Sequence, residues 1–174
     1  MKTIKVLAFS SLIFISGLAA AENVNVEFLA LTATGTGKPI GTATFMDGEK
    51  GLNIKYDLSG LTPGEHGIHV HQNANCGPGE KDGKTVPGLA AGGHYDPQNA
   101  GHHEGPKGKG HLGDLPALKV NKDGKANNSA VAPRLKVKDI KGRAIIIHAG
   151  GDNYSDKPKK LGGGGARVAC AVVK

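Results

Sequence analysis

Gly51-Leu52-Asn53-Ile54-Lys55-Tyr56-Asp57-Leu58 alternates without a break: Leu52, Ile54, Tyr56 and Leu58 are apolar, and Asn53, Lys55 and Asp57 between them are polar. Side chains on a β-strand face opposite sides in turn, so this two-residue period marks a strand with one buried face. Upstream, Asp47-Gly48 is a turn signal, and Gly41–Met46 before it reads as a strand. Further back, Val24–Ala33 places Val24, Val26, Phe28 and Ala30 on one face. Downstream, Thr62-Pro63-Gly64 turns the chain into a strand bearing His69-Val70-His71. Leu115–Val120, Ala126–Val131, Ala144–His148 and Gly165–Val173 bring the count to eight, with Lys122-Asp123-Gly124 as a further turn.

No stretch reads convincingly as a helix, and 28 Gly and 9 Pro in 174 residues argue against a helical bundle. The expected fold is all-β: one domain over residues 22–174, an eight-stranded Greek-key β-barrel or immunoglobulin-like sandwich. Two long segments fall outside the strand pattern, 73–113 and 149–164. A loop of some forty residues in a compact domain is usually functional or disordered. The run Gly162-Gly163-Gly164-Gly165 lacks a following Lys-Ser/Thr, so it reads as a tight turn rather than a phosphate loop.

Met1–Ala21 is set apart from the fold. Lys2 and Lys5 precede an apolar run from Val6 to Leu18, and Ala19-Ala20-Ala21 ends it. That is the layout of a secretory signal, and the run is shorter than the ~20 residues of a spanning helix. Cleavage before Glu22 and export to the periplasm are expected, with no membrane attachment afterwards. In an oxidising compartment Cys76 and Cys170, the only two cysteines, are expected to pair. Closing a loop of about a hundred residues stabilises a fold by about 4–5 kcal/mol in the chain-entropy model. The formal charge of +7 falls by two when Lys2 and Lys5 leave. The remaining basic residues are dispersed and no aromatic-rich stacking surface accompanies them, which argues against a nucleic-acid partner.

Six of the eight histidines lie between 69 and 111: His69, His71, His94, His102, His103 and His111, with Asp114 close behind. His69 and His71, two apart on a strand, share one face. Imidazole suits zinc and copper, and a carboxylate inclines a set toward zinc. There are more candidate ligands than one tetrahedral ion uses, so two ions are expected.

Gly67-Ile68-His69-Val70-His71, Gly92-Gly93-His94-Tyr95-Asp96-Pro97, His103-Glu104-Gly105-Pro106 and Gly110-His111-Leu112-Gly113-Asp114-Leu115 resemble the copper–zinc superoxide dismutases. Gly142-Arg143 ahead of His148, and Gly163–Cys170 with Arg167, extend the likeness over nearly all of residues 22–174, and the insertion between Cys76 and His94 is similar to the bacterial periplasmic branch. The resemblance implies copper held by His69, His71, His94 and His148, and zinc by His94, His103, His111 and Asp114, with one ion of each per subunit. It implies that His94 is shared between the ions. Asp152 stands where the family has a carboxylate bonded to one copper and one zinc histidine, and Arg167 where it has an anion-binding arginine. His102 and His103 are not separable by spacing; the family pattern, which puts the ligand immediately before Glu-Gly-Pro, selects His103. His66 is expected to be structural.

The implied activity converts two superoxide ions and two protons to dioxygen and hydrogen peroxide, with Arg167 and His94 as the catalytic residues and no organic cofactor. The alternative is a non-enzymatic exported copper- or zinc-binding protein, which would need the ligands but not Arg167. Monomer and homodimer are both compatible with the sequence.

Overall fold

The computed structural model describes residues 23–174. The expected signal segment lies outside them. Among the described residues no helix is long and apolar enough to cross a membrane.

The chain begins as an antiparallel meander of β1 (Asn23–Thr32), β2 (Gly35–Gly48) and β3 (Gly51–Ser59). On β3 the alternation has its expected effect: Leu52, Ile54, Tyr56 and Leu58 are each at most 2% exposed, while Lys55 and Asp57 face water. Strand β2 starts six residues before the expected Gly41. Its first half has no apolar pattern and is held to β1 by main-chain pairing, with register shifts around Leu29.

The next strand is broken in two by Gly67, into β4 (Gly64–His66) and β5 (Ile68–His71). A hairpin missing from the expected pattern follows, β6 (Gly79–Lys81) and β7 (Lys84–Val86). Its turn is Asp82-Gly83 with both φ angles positive, 52° and 69°, as a tight two-residue hairpin requires. Then come β8 (Leu118–Val120), β9 (Lys125–Ala126) and β10 (Ser129–Ala132), where two longer strands were expected. A one-turn helix, α1 (Val137–Ile140), leads to β11 (Arg143–His148) and β12 (Arg167–Val173).

The main sheet contains eight strands along the path β10-β3-β2-β1-β12-β11-β5, with β9 also on β3. The ladder of β4 with β8 joins its two ends, because β4 runs into β5 and β8 turns back into β9. The outcome is the expected curled all-β architecture, with β1 and β12 side by side.

Phe28, Phe45, Leu52, Ile54, Ile68, Val70, Leu118, Ile145 and Ile147 fill the interior. A second, smaller cluster lies on the outside of the sheet: Cys76, Ala91, Ala144, Ile146 and Cys170. The expected disulfide Cys76–Cys170 is formed there, across 94 residues of sequence, and ties the first long loop to β12.

Candidate metal centre

Strand β5 divides its side chains between the two sides of the sheet. Ile68 and Val70 enter the barrel core, so His69 and His71 must emerge on the outer face. On the neighbouring β11, Ile145 and Ile147 point inward and Ala144, Ile146 and His148 outward. Three imidazoles therefore share one outer surface, with the His148 ring 5.0 Å from that of His69 and 5.7 Å from that of His71.

Arg167 reaches this surface through an irregularity. The β11–β12 register steps from Ile147↔Ala169 to His148↔Arg167, leaving Val168 as an extra residue. Ala169 and Ala171 face the core, so strict alternation would turn Arg167 inward; the bulge re-aims it toward the side of His148. Its guanidinium donates to the carbonyls of Gly88 and Gly92 at 2.5 and 2.6 Å.

The free edge of β5 is covered by the long loop. Tyr95 N–H donates to Val70 O and Val70 N–H to Gly113 O, both at 2.8 Å. These bonds draw in His94, which bridges onto His71, and Asp114, which bridges onto His69. A Cβ on Gly113 would collide with the Val70 carbonyl, so this approach requires glycine. Of the adjacent histidine pair, His103 is buried and turned inward, whereas the His102 side chain is 45% exposed.

Two groups of potential ligands result. Ring nitrogens of His69, His71, His94 and His148 lie within 4.8 Å of one another. A second group within the same span is His69, His94, His103 and Asp114. His111 stands just beyond it, its Nδ1 3.6 Å from Asp114 Oδ1.

The hydrogen bonds decide which nitrogen of each ring remains available. His69 Nε2–H donates to Asp152 Oδ2 at 2.7 Å, His71 Nδ1–H to Gly92 O at 2.9 Å, and His148 Nδ1–H to Gly165 O at 3.2 Å. The opposite nitrogens, His69 Nδ1, His71 Nε2 and His148 Nε2, are buried without a partner, as is His94 Nε2. His94 Nδ1 lies 3.0 Å from Asp114 Oδ1. Buried polar atoms are nearly always satisfied, so converging orphans point to an ion that would satisfy them together. On the acid side His103 Nδ1 and Asp114 Oδ2 are 2.9 Å apart yet not aligned as a hydrogen bond, and His111 Nδ1 is also unpaired. A cation shared by those atoms accounts for the close approach.

Asp152 couples the groups: one oxygen accepts from His69 and the other from His103 Nε2–H at 2.7 Å. Gly162 passes so close that a Cβ there would collide with Asp152 Oδ1. Burial, with its neighbour His94, pushes His69 down to about 3. Burial likewise pushes His148 down to about 4 and holds His71 and His94 low, with the Arg167 cation adding to the effect on His71 and His148. Neutral imidazoles are what metal ligation requires. For His103 burial is outweighed by the adjacent Asp114 carboxylate and by the hydrogen bond and charge of Asp152, which raise it to about 9. Burial opposes ionisation of Asp114 and Asp152, but the histidines pressed against both carboxylates hold them well below the carboxylate range.

Two supporting residues were not evident from the sequence. Asp156 accepts from His103 N–H at 2.9 Å, linking the two long loops. Arg134 donates to four loop carbonyls. His66, expected to be structural, is 2% exposed and sits between the carbonyls of His148 and Thr62 at 2.6 and 2.8 Å.

A sequence model described as copper/zinc superoxide dismutase (SODC) matches residues 39–173. The chain belongs to that family. The superoxide dismutase [Cu-Zn] of Brucella abortus biovar 1 is 53% identical over 166 residues, covering 95% of this chain and 96% of that one. Among solved structures, the Cu/Zn superoxide dismutase from Brucella abortus superposes with a TM-score of 0.87 at 55% identity, over 88% of this chain and all of that one. The monomeric copper, zinc superoxide dismutase from Salmonella enterica gives 0.79 at 52% identity, with the same coverage. Copper and zinc are accordingly the cofactors, and the orphaned nitrogens fit them.

Proposed function

We propose that this chain is a periplasmic superoxide dismutase that converts two superoxide ions and two protons to dioxygen and hydrogen peroxide. The observation that carries the reading is the set of four buried, unpaired ring nitrogens on His69, His71, His94 and His148, with Arg167 on the strand beside them. Copper belongs to that group. Zinc belongs to His94, His103, His111 and Asp114. His69 lies within reach of both sets, but its Nε2 is committed to Asp152, and only its Nδ1 remains, which the all-histidine set uses. His111, with Nδ1 unpaired beside Asp114, completes the other.

When bound, copper supplies one-electron exchange with successive superoxide ions, while zinc, with a filled d shell, shapes the site without redox change. The protein's own residues do the rest. Arg167 keeps its charge at any relevant pH and has five N–H donors; two are fixed by Gly88 and Gly92, which aims the fork and leaves donors for a diatomic anion. His94 offers a nitrogen to each side, and its Nε2 is a buried atom placed to take up and release the proton that peroxide formation needs. Asp152 holds His69 and His103 in the tautomers that keep both Nδ1 atoms free. A bare metal carrier has no use for an arginine brought to the site by a bulge, and this favours the enzyme. Lys2, Lys5, the apolar run and the disulfide support export.

The test is metal analysis of the purified chain with a superoxide assay. One copper and one zinc per chain, and dismutation abolished by removing copper and restored by adding it, are expected. A copper-loaded chain that leaves superoxide untouched would refute the reading.

A further inference from the structure

The loop that carries His103 and His111 contains no strand or helix between Ala100 and Asp114. Its buried carbonyls therefore need partners from elsewhere. Four of them, on Gly105, Pro106, Gly110 and His111, belong to buried residues and converge on one guanidinium. Arg134 Nε donates to Pro106 O at 3.2 Å, Nη1 to Gly110 O at 3.0 Å, and Nη2 to Gly105 O and His111 O at 3.3 and 2.5 Å. No carboxylate pairs with it among the described residues.

The arginine is anchored at its other end. It lies between β10 and α1, flanked by Ala132 and Leu135, each 1% exposed in the barrel core. The following residues are stapled to the β2–β3 turn, with Lys136 Nζ donating to Gly48 O and Val137 N–H to Asp47 Oδ1, both at 2.8 Å. The planar five-donor fork is the side chain that can reach four carbonyls at once; a lysine presents its donors from a single atom.

We propose that Arg134 is a positioning residue for the zinc half of the site, transmitting the rigidity of the barrel to the loop so that His103 and His111 are in place before zinc arrives. This rests on the zinc assignment made above. The arginine touches no metal and no substrate. Its effect falls on the loop-borne ligands and spares His69, His71 and His148, which the sheet holds without it.

The experiment compares the full chain with Arg134→Met and Arg134→Lys. Zinc affinity is read by chelator competition on metal-free protein, copper affinity in parallel, and amide exchange over residues 102–114 against β11. Zinc affinity is expected to fall at least tenfold in Arg134→Met and less in Arg134→Lys, with copper affinity changed less than threefold. Exchange is expected to speed up at the His111 and Asp114 amides while β11 stays protected. Equal zinc affinity in all three proteins, or zinc and copper weakened alike with exchange faster throughout, would overturn the proposal. Arg134→Lys supplies the comparison if Arg134→Met fails to fold. Failure of the unmodified chain to bind zinc would instead refute the zinc assignment.

Discussion

The two halves of the proposed metal centre are built differently. His69, His71 and His148 stand on β5 and β11, strands whose alternate residues are packed in the barrel core. His94, His103, His111 and Asp114 stand on a loop without regular structure, and each is held by something remote from it in sequence. Strand β5 bonds the segments carrying His94 and Asp114, Asp156 bonds the backbone of His103, and Arg134 bonds that of His111. A strand-borne ligand is positioned by the same burial that folds the protein. A loop-borne ligand depends on individual polar contacts, so removing one of them should act on that half alone.

His94 is the residue on which the distinction breaks down, since each of its nitrogens faces a different half. His94→Ala is expected to weaken both metals and to reduce dismutation to background, measured by metal content and a superoxide assay; retention of either full zinc occupancy or activity would separate the halves.

Asp152 spans the boundary too, but unevenly. It fixes His69, which the sheet already orients, and His103, which it does not. Asp152→Ala is expected to lower zinc affinity by up to about a hundredfold and copper affinity by less, as chelator titration would show. The opposite order would indicate that the strand supports its histidine less well than the packing implies.

Arg167 sharpens the contrast from the substrate side. Arg167→Gln should reduce kcat/KM by about ten- to a hundredfold, the usual effect of losing a charge-assisted hydrogen bond, while both metals stay bound. Arg167→Lys should fall between, keeping the charge but losing the fork.

A smaller effect is expected from pH in the metal-free protein. His69 and His148 stay neutral in the fold, held down at about 3 and 4, whereas the unfolded chain takes up those protons near 6.5. Stability should therefore fall as pH drops from about 6.5 toward 4, lowering the unfolding midpoint by at least about 5 °C. Asp114 and Asp152, held below the normal range, add to the loss only at still lower pH. His103, raised to about 9, works in the other direction: its contribution is complete below about 6.5 and disappears as pH rises through about 9. A calorimetric series showing no decline on the acid side would contradict this charge assignment.

What could be read from the sequence follows the same division. The β3 alternation and His69-Val70-His71 are local patterns, visible because neighbours in sequence are neighbours on a sheet face. The ligand assignments beyond that pair came from resemblance, since no period links His94 to His111. Arg134 and Asp156 were not legible, because their partners lie 23 to 53 residues away and only the closed barrel brings them together. Neither was the bulge that turns Arg167, which shows in the β11–β12 register and in no local motif. The β6–β7 hairpin leaves only half a signal: Asp82-Gly83 marks the turn, but the three-residue strands on either side are too short and polar to show a period. Four-residue α1 is too short for a helical period as well.

The central claim is that one imidazole, that of His94, serves both halves. It is tested most directly by loading copper(II) into both positions and recording the electron paramagnetic resonance spectrum of the full chain. A shared ring predicts that the two spins couple, so that the ordinary copper(II) signal is largely lost and returns at one copper per chain when the loop position is refilled with zinc. Two independent copper(II) signals of full intensity would contradict it.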